Sequence, residues 1–502
     1  MEESKTSYKH ILKSTFLFGF VQIFNILIKI IISKSVALFL GTEGMGLIGI
    51  YNSTVNLFKS FAGLGISQSA VKDIAENNVA GETEKRDTII TIVNKLILFT
   101  GLLGGVVIII MSPYLSKTSF GTTEYTLPFI LLSIVVFLTI INEGQLAILK
   151  GLRMLRILAK ASLWGAFAGL FVSVPLYYIW GLKGIIPSLI AIALVSVTYS
   201  SYYVKKVGNQ SRTITVKETL RKSLPMIKMG LALMYLSLAG ILSEFIVKIF
   251  ISHTTGIDSV GIFQAGSTII IAYFGIITTA LTTDYYPRIS AVNQNNSALT
   301  DEVNRQTTVG LLLIFPLIII FLFLMPVFIR LLYSPEFLRS TAYLQFAVFG
   351  ILLNIGSNSM GMILLAKQAS HTFVWTTTII TCLTIGLNIA LYYFYGLPGL
   401  GISTIVIACM HMGLMTWIMK RQYGIRFERR VISMYVLVIL LCILAFFTKD
   451  IHNSLLRYST GGVLAVLSIL YTLTILKKSL GRDSTAPSRL TIQAFWSGPF
   501  SR

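Results

Sequence analysis

Cysteine and acidic side chains are scarce in this chain, and long polar stretches are rarer still. The three cysteines, Cys382, Cys409 and Cys442, fall inside apolar runs with no framework spacing. That argues against a disulfide scaffold and against a metal centre, and leaves them as small core residues. Only 20 residues are Asp or Glu against 41 Lys and Arg. No pair of acids on a polar loop resembles a sugar-nucleotide site, and no Gly-x-x-x-x-Gly-Lys-Ser/Thr loop cradles a nucleotide phosphate, which disfavours an ATP-driven pump. The N-terminus lacks the basic, short-apolar, small-residue pattern of a cleavable signal, so the first apolar segment is expected to stay. No cofactor is implied, and no residue set points to catalysis.

What the chain has instead is apolar length. Hydrophobic residues make up 54% of 502, charged residues 12%, and the mean hydropathy is +0.78. A water-soluble fold of this size would expose a vast apolar surface, so the solvent for most of the chain must be lipid. Runs of roughly 20 apolar residues, the length that crosses a hydrocarbon core as helix, recur from Ile11 almost to Leu476. They predict an all-α polytopic membrane protein of about fourteen spans. The first is expected at 11–39, the second at 45–68 and the last two at 431–448 and 459–476.

Basic residues accumulate in short loops on the cytoplasmic side of a membrane. With the N-terminus inside, about 30 of the 41 basic residues fall in inner segments and about seven in outer ones. Both termini are therefore expected to be cytoplasmic. This bias accounts for most of the +21 net charge, so nucleic acid is not an expected partner and anionic membrane lipid is. The outer loops read as short, the longest near Ser112 to Tyr125. Gly208 to Lys228, basic and without a long apolar run, reads as a connector.

The chain also resembles itself. Ile28-Lys29-Ile30-Ile31-Ile32-Ser33-Lys34 matches Val247-Lys248-Ile249-Phe250-Ile251-Ser252-His253, and Gly49-Ile50-Tyr51 matches Gly261-Ile262-Phe263. Leu176-Tyr177-Tyr178-Ile179-Trp180-Gly181-Leu182 matches Leu391-Tyr392-Tyr393-Phe394-Tyr395-Gly396-Leu397. Matches in one order at similar offsets indicate a duplication. Residues 1–212 and 213–425 then form two six-helix bundles related by a pseudo-two-fold axis along the membrane normal. Residues 426–480 add helices 13 and 14, and 481–502 form a tail.

Two such halves with two added helices, and a first span running into Leu40-Gly41-x-x-Gly44-x-Gly46-Leu47, resemble the multidrug/oligosaccharidyl-lipid/polysaccharide exporter superfamily. Val260-Gly261-Ile262-Phe263-Gln264 and Tyr286-Pro287 are similar to the Wzx-type O-antigen and lipid-linked oligosaccharide flippases within it. The resemblance implies a flippase for undecaprenyl-pyrophosphate-linked oligosaccharide, working by alternating access in the bacterial inner membrane. It also implies a proton or sodium ion and the polysaccharide polymerase machinery as partners. A cation-coupled multidrug antiporter of the same superfamily is the alternative, and a membrane polysaccharide polymerase a more distant one.

Charge inside a span is costly, so intramembrane ionisable residues are the candidates for function. Lys29 and Lys248, equivalent in the repeat, suit a pyrophosphate if they face one cleft. Lys59 shares a helical stripe with Asn52 and Asn56. Lys34, Asn25 and Gln264 complete the candidate substrate set. Glu244, Glu143 and Asp284 are the candidates for ion coupling. Glu244 precedes Lys248 by four residues, a spacing that also predicts a mutual salt bridge.

Overall fold

The computed structural model describes residues 24–206, 215–451 and 453–483. All regular elements among them are helical, as the apolar runs predict. After α1 (residues 24–39) come α2 (Gly41–Gly63), α3 (Ile66–Val79), α4 (Thr83–Phe120), α5 (Thr126–Gly151), α6 (Leu155–Trp180) and α7 (Ile185–Lys206). The chain continues with α8 (Val216–Thr255), α9 (Ile257–Ile269), α10 (Gly275–Ala291), α11 (Asn296–Leu332), α12 (Thr341–Ala366) and α13 (Ser370–Tyr395). It ends with α14 (Leu397–Ile418), α15 (Arg429–Phe447) and α16 (Ser454–Asp483).

Eleven helical stretches among the described residues are long and apolar enough to cross a membrane. One of them, Leu155–Lys206, holds both α6 and α7, folded back through a short 3-10 turn at Gly181–Gly184. α2 is not among the eleven, because Asn52, Asn56 and Lys59 dilute its apolar character. Along α4, Leu98, Phe99, Leu102, Val106 and Ile110 are all exposed. A helix with so continuous an outward apolar face needs hydrocarbon around it. The protein is a multi-pass membrane protein.

Several boundaries differ from expectation. Residues 69–79, expected as loop, belong to α3, a separate helix of low mean apolarity that begins at Ile66, inside the expected second span, and leaves α2 through Leu64 and Gly65, both with positive φ. The loop expected from Ser112 to Tyr125 is mostly helix, since α4 continues to Phe120 and stops at Gly121 (φ +75°). The expected connector is helical from Val216 onward, because α8 begins about ten residues before the apolar run it carries. α16 likewise runs to Asp483, past the end of the apolar segment. Helices that emerge from the hydrocarbon lose no backbone hydrogen bonds by continuing, so polar flanks do not mark their ends. Residues 11–23 of the first span, 208–214 of the connector and the tail from 484 lie outside the described residues.

The helices pack as two compact units. One contains the described residues up to Gly266 with Ile329–Ser340 and Thr377–Leu397. In it α8 packs on α2, α3 and α4, so the unit extends past the midpoint of the sequence. The crossing of α2 with α9 explains the glycine motif. A Cβ on Gly46 would lie 2.2 Å from the Ile257 carbonyl oxygen, and one on Gly261 would lie 1.9 Å from that of Thr42. Backbone meets backbone there, the close approach that small residues allow between membrane helices. The Thr42 hydroxyl donates to Asp258 at the same crossing. Gly46→Leu should therefore cost about 1–3 kcal/mol through forced separation, seen as a lower melting temperature of the purified protein in detergent.

The second unit contains Ser267–Phe328, Thr341–Thr376 and the described residues from Pro398. A buried core in it joins Tyr285, Ile289, Leu299, Val303, Met360, Ile363, Met415 and Ile425. Asn304 fixes the segment between α14 and α15, donating to the Arg426 carbonyl (3.2 Å) and accepting from the Glu428 amide (2.8 Å). Single π turns at Ile270–Phe274 and Met419–Tyr423 widen the helices locally.

Candidate functional site

α2 is the polar spine of the first unit. Its turn spacing places Asn52, Asn56 and Lys59 on one face and turns Gly49 and Ser53 toward α8. Asn52 and Asn56 are exposed, and Lys59 is partly so.

Lys59 Nζ forms a salt bridge with Glu143 Oε1 of α5 at 2.7 Å. Both side chains keep an exposed face, 21% and 42% exposed respectively. Next to Glu143 along α5, Gln145 donates to Asn94 of α4 at 3.3 Å. The sequence marks Lys59 and Glu143 separately. Their contact depends on how α2 crosses α5, and no periodicity within either helix reports that.

Lys248 is different. Its side chain is 2% exposed, and its ammonium donates to Glu244 Oε1, to Ser53 Oγ (2.7 Å) and to the Gly49 carbonyl (3.3 Å). Three donors meet three acceptors, the condition under which a buried ammonium is tolerable. The bridge to Glu244 at i, i+4 forms as its spacing predicts. Lys29, its partner in the repeat, is exposed on α1. They do not form a pair of free ammonium groups: Lys29 is exposed, and Lys248 ties α8 to α2.

Glu244 is 44% exposed and turns its free face into a cleft of ≈ 260 Å³ lined by Ser243, Val247 and Gly240 of α8, Phe263 of α9, and α13. From α13 come Thr381, Thr384 and Asn388. The sequence carried a signal for these three: Thr381-x-x-Thr384-x-x-x-Asn388 falls at helical spacing and places three polar side chains along one face of α13.

The other candidates are scattered. Lys34 donates to the carbonyls of Arg330 (2.9 Å) and Tyr333, covering the C-terminal end of α11. A cation there satisfies exposed carbonyls and suits the negative end of the helix dipole. Lys34→Met should cost about 1 kcal/mol, a small fall in melting temperature. Gln264 packs against α2 so closely that a Cβ on Gly49 would lie 3.0 Å from its Oε1. Asn25 Oδ1 is buried without a hydrogen-bond partner among the described residues. Asp284 belongs to the second unit, exposed and bridged to Arg288 at 3.1 Å. Arg288 also donates to Glu302 and to Gln306 (2.8 Å), so Asp284 belongs to a charge network at the end of α10.

Residues 35–342 match the family described as polysaccharide biosynthesis protein. The chain belongs to that family. Among curated proteins none matches. Among solved structures, the lipid II flippase MurJ in an inward closed conformation matches with a TM-score of 0.71 and 14% identity. That match covers 93% of this chain and 99% of the flippase. An inward-facing multidrug resistance MATE family transporter of the MOP superfamily matches with a TM-score of 0.61 and 16% identity, over 80% of this chain and 95% of its own. An outward-facing conformation of such a transporter gives 0.56 at 16%, over 83% and 97%. This member of the polysaccharide biosynthesis family thus has the fold of flippases and multidrug transporters, in line with the superfamily resemblance in its sequence.

Proposed function

We propose that the protein is a flippase that moves undecaprenyl-pyrophosphate-linked oligosaccharide, an O-antigen or similar repeat unit, from the cytoplasmic to the periplasmic leaflet. It works by alternating access in the bacterial inner membrane, with both termini cytoplasmic. The observation that carries this reading is the exposed polar stripe of α2. Asn52 and Asn56 are exposed on α2, with the partly exposed side chain of Lys59 beside them. A cation and amides on one face suit an anionic, hydroxyl-rich headgroup. Membership of a polysaccharide biosynthesis family supports the substrate class.

In this reading Lys59 is the principal contact for pyrophosphate, with Lys29 as the exposed cation of α1. Lys34, Lys248, Asn25 and Gln264 hold the surrounding helices. Glu244 is the coupling residue: a proton or sodium ion taken in its cleft weakens its hold on Lys248 and loosens α8 from α2. Glu143 and Asp284 are secondary coupling candidates, already engaged by Lys59 and Arg288. The duplicated halves, 1–212 and 213–425, supply the two moving bodies.

The decisive experiment reconstitutes the purified protein in liposomes with a fluorescent undecaprenyl-pyrophosphate-linked oligosaccharide and follows its exposure to an impermeant quencher. Flipping well above that of empty liposomes is expected. Efflux of cationic dyes without lipid flipping overturns the reading in favour of a cation-coupled multidrug antiporter, which the carboxylate-lined cleft at Glu244 also suits.

A further inference from the structure

The exposed face of α6 and α7 differs from that of α4. α4 shows mostly aliphatic side chains to its surroundings. On α6 the exposed stripe reads Arg156, Lys160, Trp164, Phe171, with Phe167 half-buried between the last two. These positions are three or four residues apart and share one face. Because α7 runs back antiparallel through the turn at Gly181–Gly184, its final Lys205 and Lys206 lie at the same end as Arg156 and Lys160. All four cations are exposed, and none pairs with an acid among the described residues.

Beyond the cations the rings are ordered. Trp164 stacks on Tyr199 of α7, with centroids 5.9 Å apart and planes 4° from parallel. Phe167 stacks on Phe171 at 6.5 Å and 14°, and meets Phe24 of α1 at 5.1 Å. An interfacial aromatic belt sits at headgroup level. From Lys160 to Phe171 the helix rises about 16 Å, roughly half the hydrocarbon core, so this stripe passes well below such a belt.

We propose that this face binds the polyisoprenyl diphosphate of the lipid carrier, the phosphates on the cationic end and the isoprenoid chain along the aromatic stripe. Two phosphates carry more charge than the headgroup of phosphatidylglycerol, and four unpaired cations at one end are complementary to them. A chain of methyl-branched, unsaturated units offers flat groups to flat rings, which straight saturated tails do not. The site rests on the flippase reading and adds to it: it lies apart from α2 and holds the carrier before its diphosphate passes to Lys59.

The test uses purified full-length protein in nanodiscs, with undecaprenyl diphosphate and phosphatidylglycerol as competing probes and native mass spectrometry as readout. Wild-type protein is expected to retain the polyisoprenyl lipid about tenfold better. Arg156→Gln with Lys160→Gln should weaken that retention about tenfold, the effect of losing a charge-assisted contact. Trp164→Leu with Phe171→Leu should abolish the preference between the lipids, while Trp164→Phe and Lys160→Arg preserve it and report on folding. Equal retention of both lipids by wild-type protein overturns the site, as does unchanged preference in both double variants. Retention is read without transport: its loss with flipping intact refutes this site alone, and its presence without flipping refutes the flippase reading alone.

Discussion

Glu244→Ala is expected to lower the stability of the purified protein by about 3 kcal/mol, and Lys248→Met added to the same chain to restore most of it. The reason lies in the asymmetry of the pair. Lys248 is 2% exposed and Glu244 44%, so truncating the acid leaves a desolvated ammonium with only a hydroxyl and a carbonyl as acceptors. Removing one partner of a buried pair costs about 3–5 kcal/mol, and the accessible acid brings this case to the lower end. A methionine in place of the lysine removes the orphaned charge and keeps the volume, so the double variant should melt near wild type. The measurement is thermal unfolding of the three variants in one detergent. A double variant no more stable than Glu244→Ala alone would show that Lys248 holds α8 on α2 by something other than this ion pair. Under the coupling proposal the double variant is also stable and inactive in flipping, because nothing remains for a bound cation to release.

Much of this architecture is legible in the sequence because lipid simplifies the problem. Backbone groups in hydrocarbon must bond internally, so an apolar run of the right length is a helix. The same logic fails at the ends. α3, the first turns of α8 and the end of α16 lie where water can satisfy the backbone, and apolar length carries no information there. The glycine motif around Gly46 and Gly261 was visible as a pattern, and the α2 and α9 crossing supplies its cause.

The site was legible in its parts and not in its pairings. Glu244 with Lys248 could be read because both lie on one helix at a spacing that makes them neighbours. Ser53 and Gly49 could not be read as their partners, since that depends on how α2 is rotated against α8. The repeat suggested that Lys29 and Lys248 act alike. Equivalent positions in a duplication share a helix face, but each half packs that face on different neighbours, and burial separates them. The cleft at Glu244 draws Thr381, Thr384 and Asn388 from α13, more than 130 residues away in the chain.

Burial also sorts the two paired lysines by purpose, which leads to the strongest functional expectation. Lys59→Gln should reduce the rate of lipid-linked oligosaccharide flipping in proteoliposomes roughly ten- to a hundred-fold, the loss expected from one charge-assisted contact to a phosphate. Its pairing with Glu143 is too accessible to matter much for folding: an ion pair 21% and 42% exposed contributes at most about 1 kcal/mol. Folding stability therefore gives little reason for a lysine at this place on the polar stripe of α2, and a phosphate ligand gives one. The exchange Lys59→Glu with Glu143→Lys is the control. It keeps the salt bridge between α2 and α5 and moves the cation off the stripe of Asn52 and Asn56. If the bridge is merely structural, the exchanged protein transports as well as wild type. If Lys59 meets the substrate phosphate, the exchanged protein reaches the membrane at normal levels and flips as poorly as Lys59→Gln.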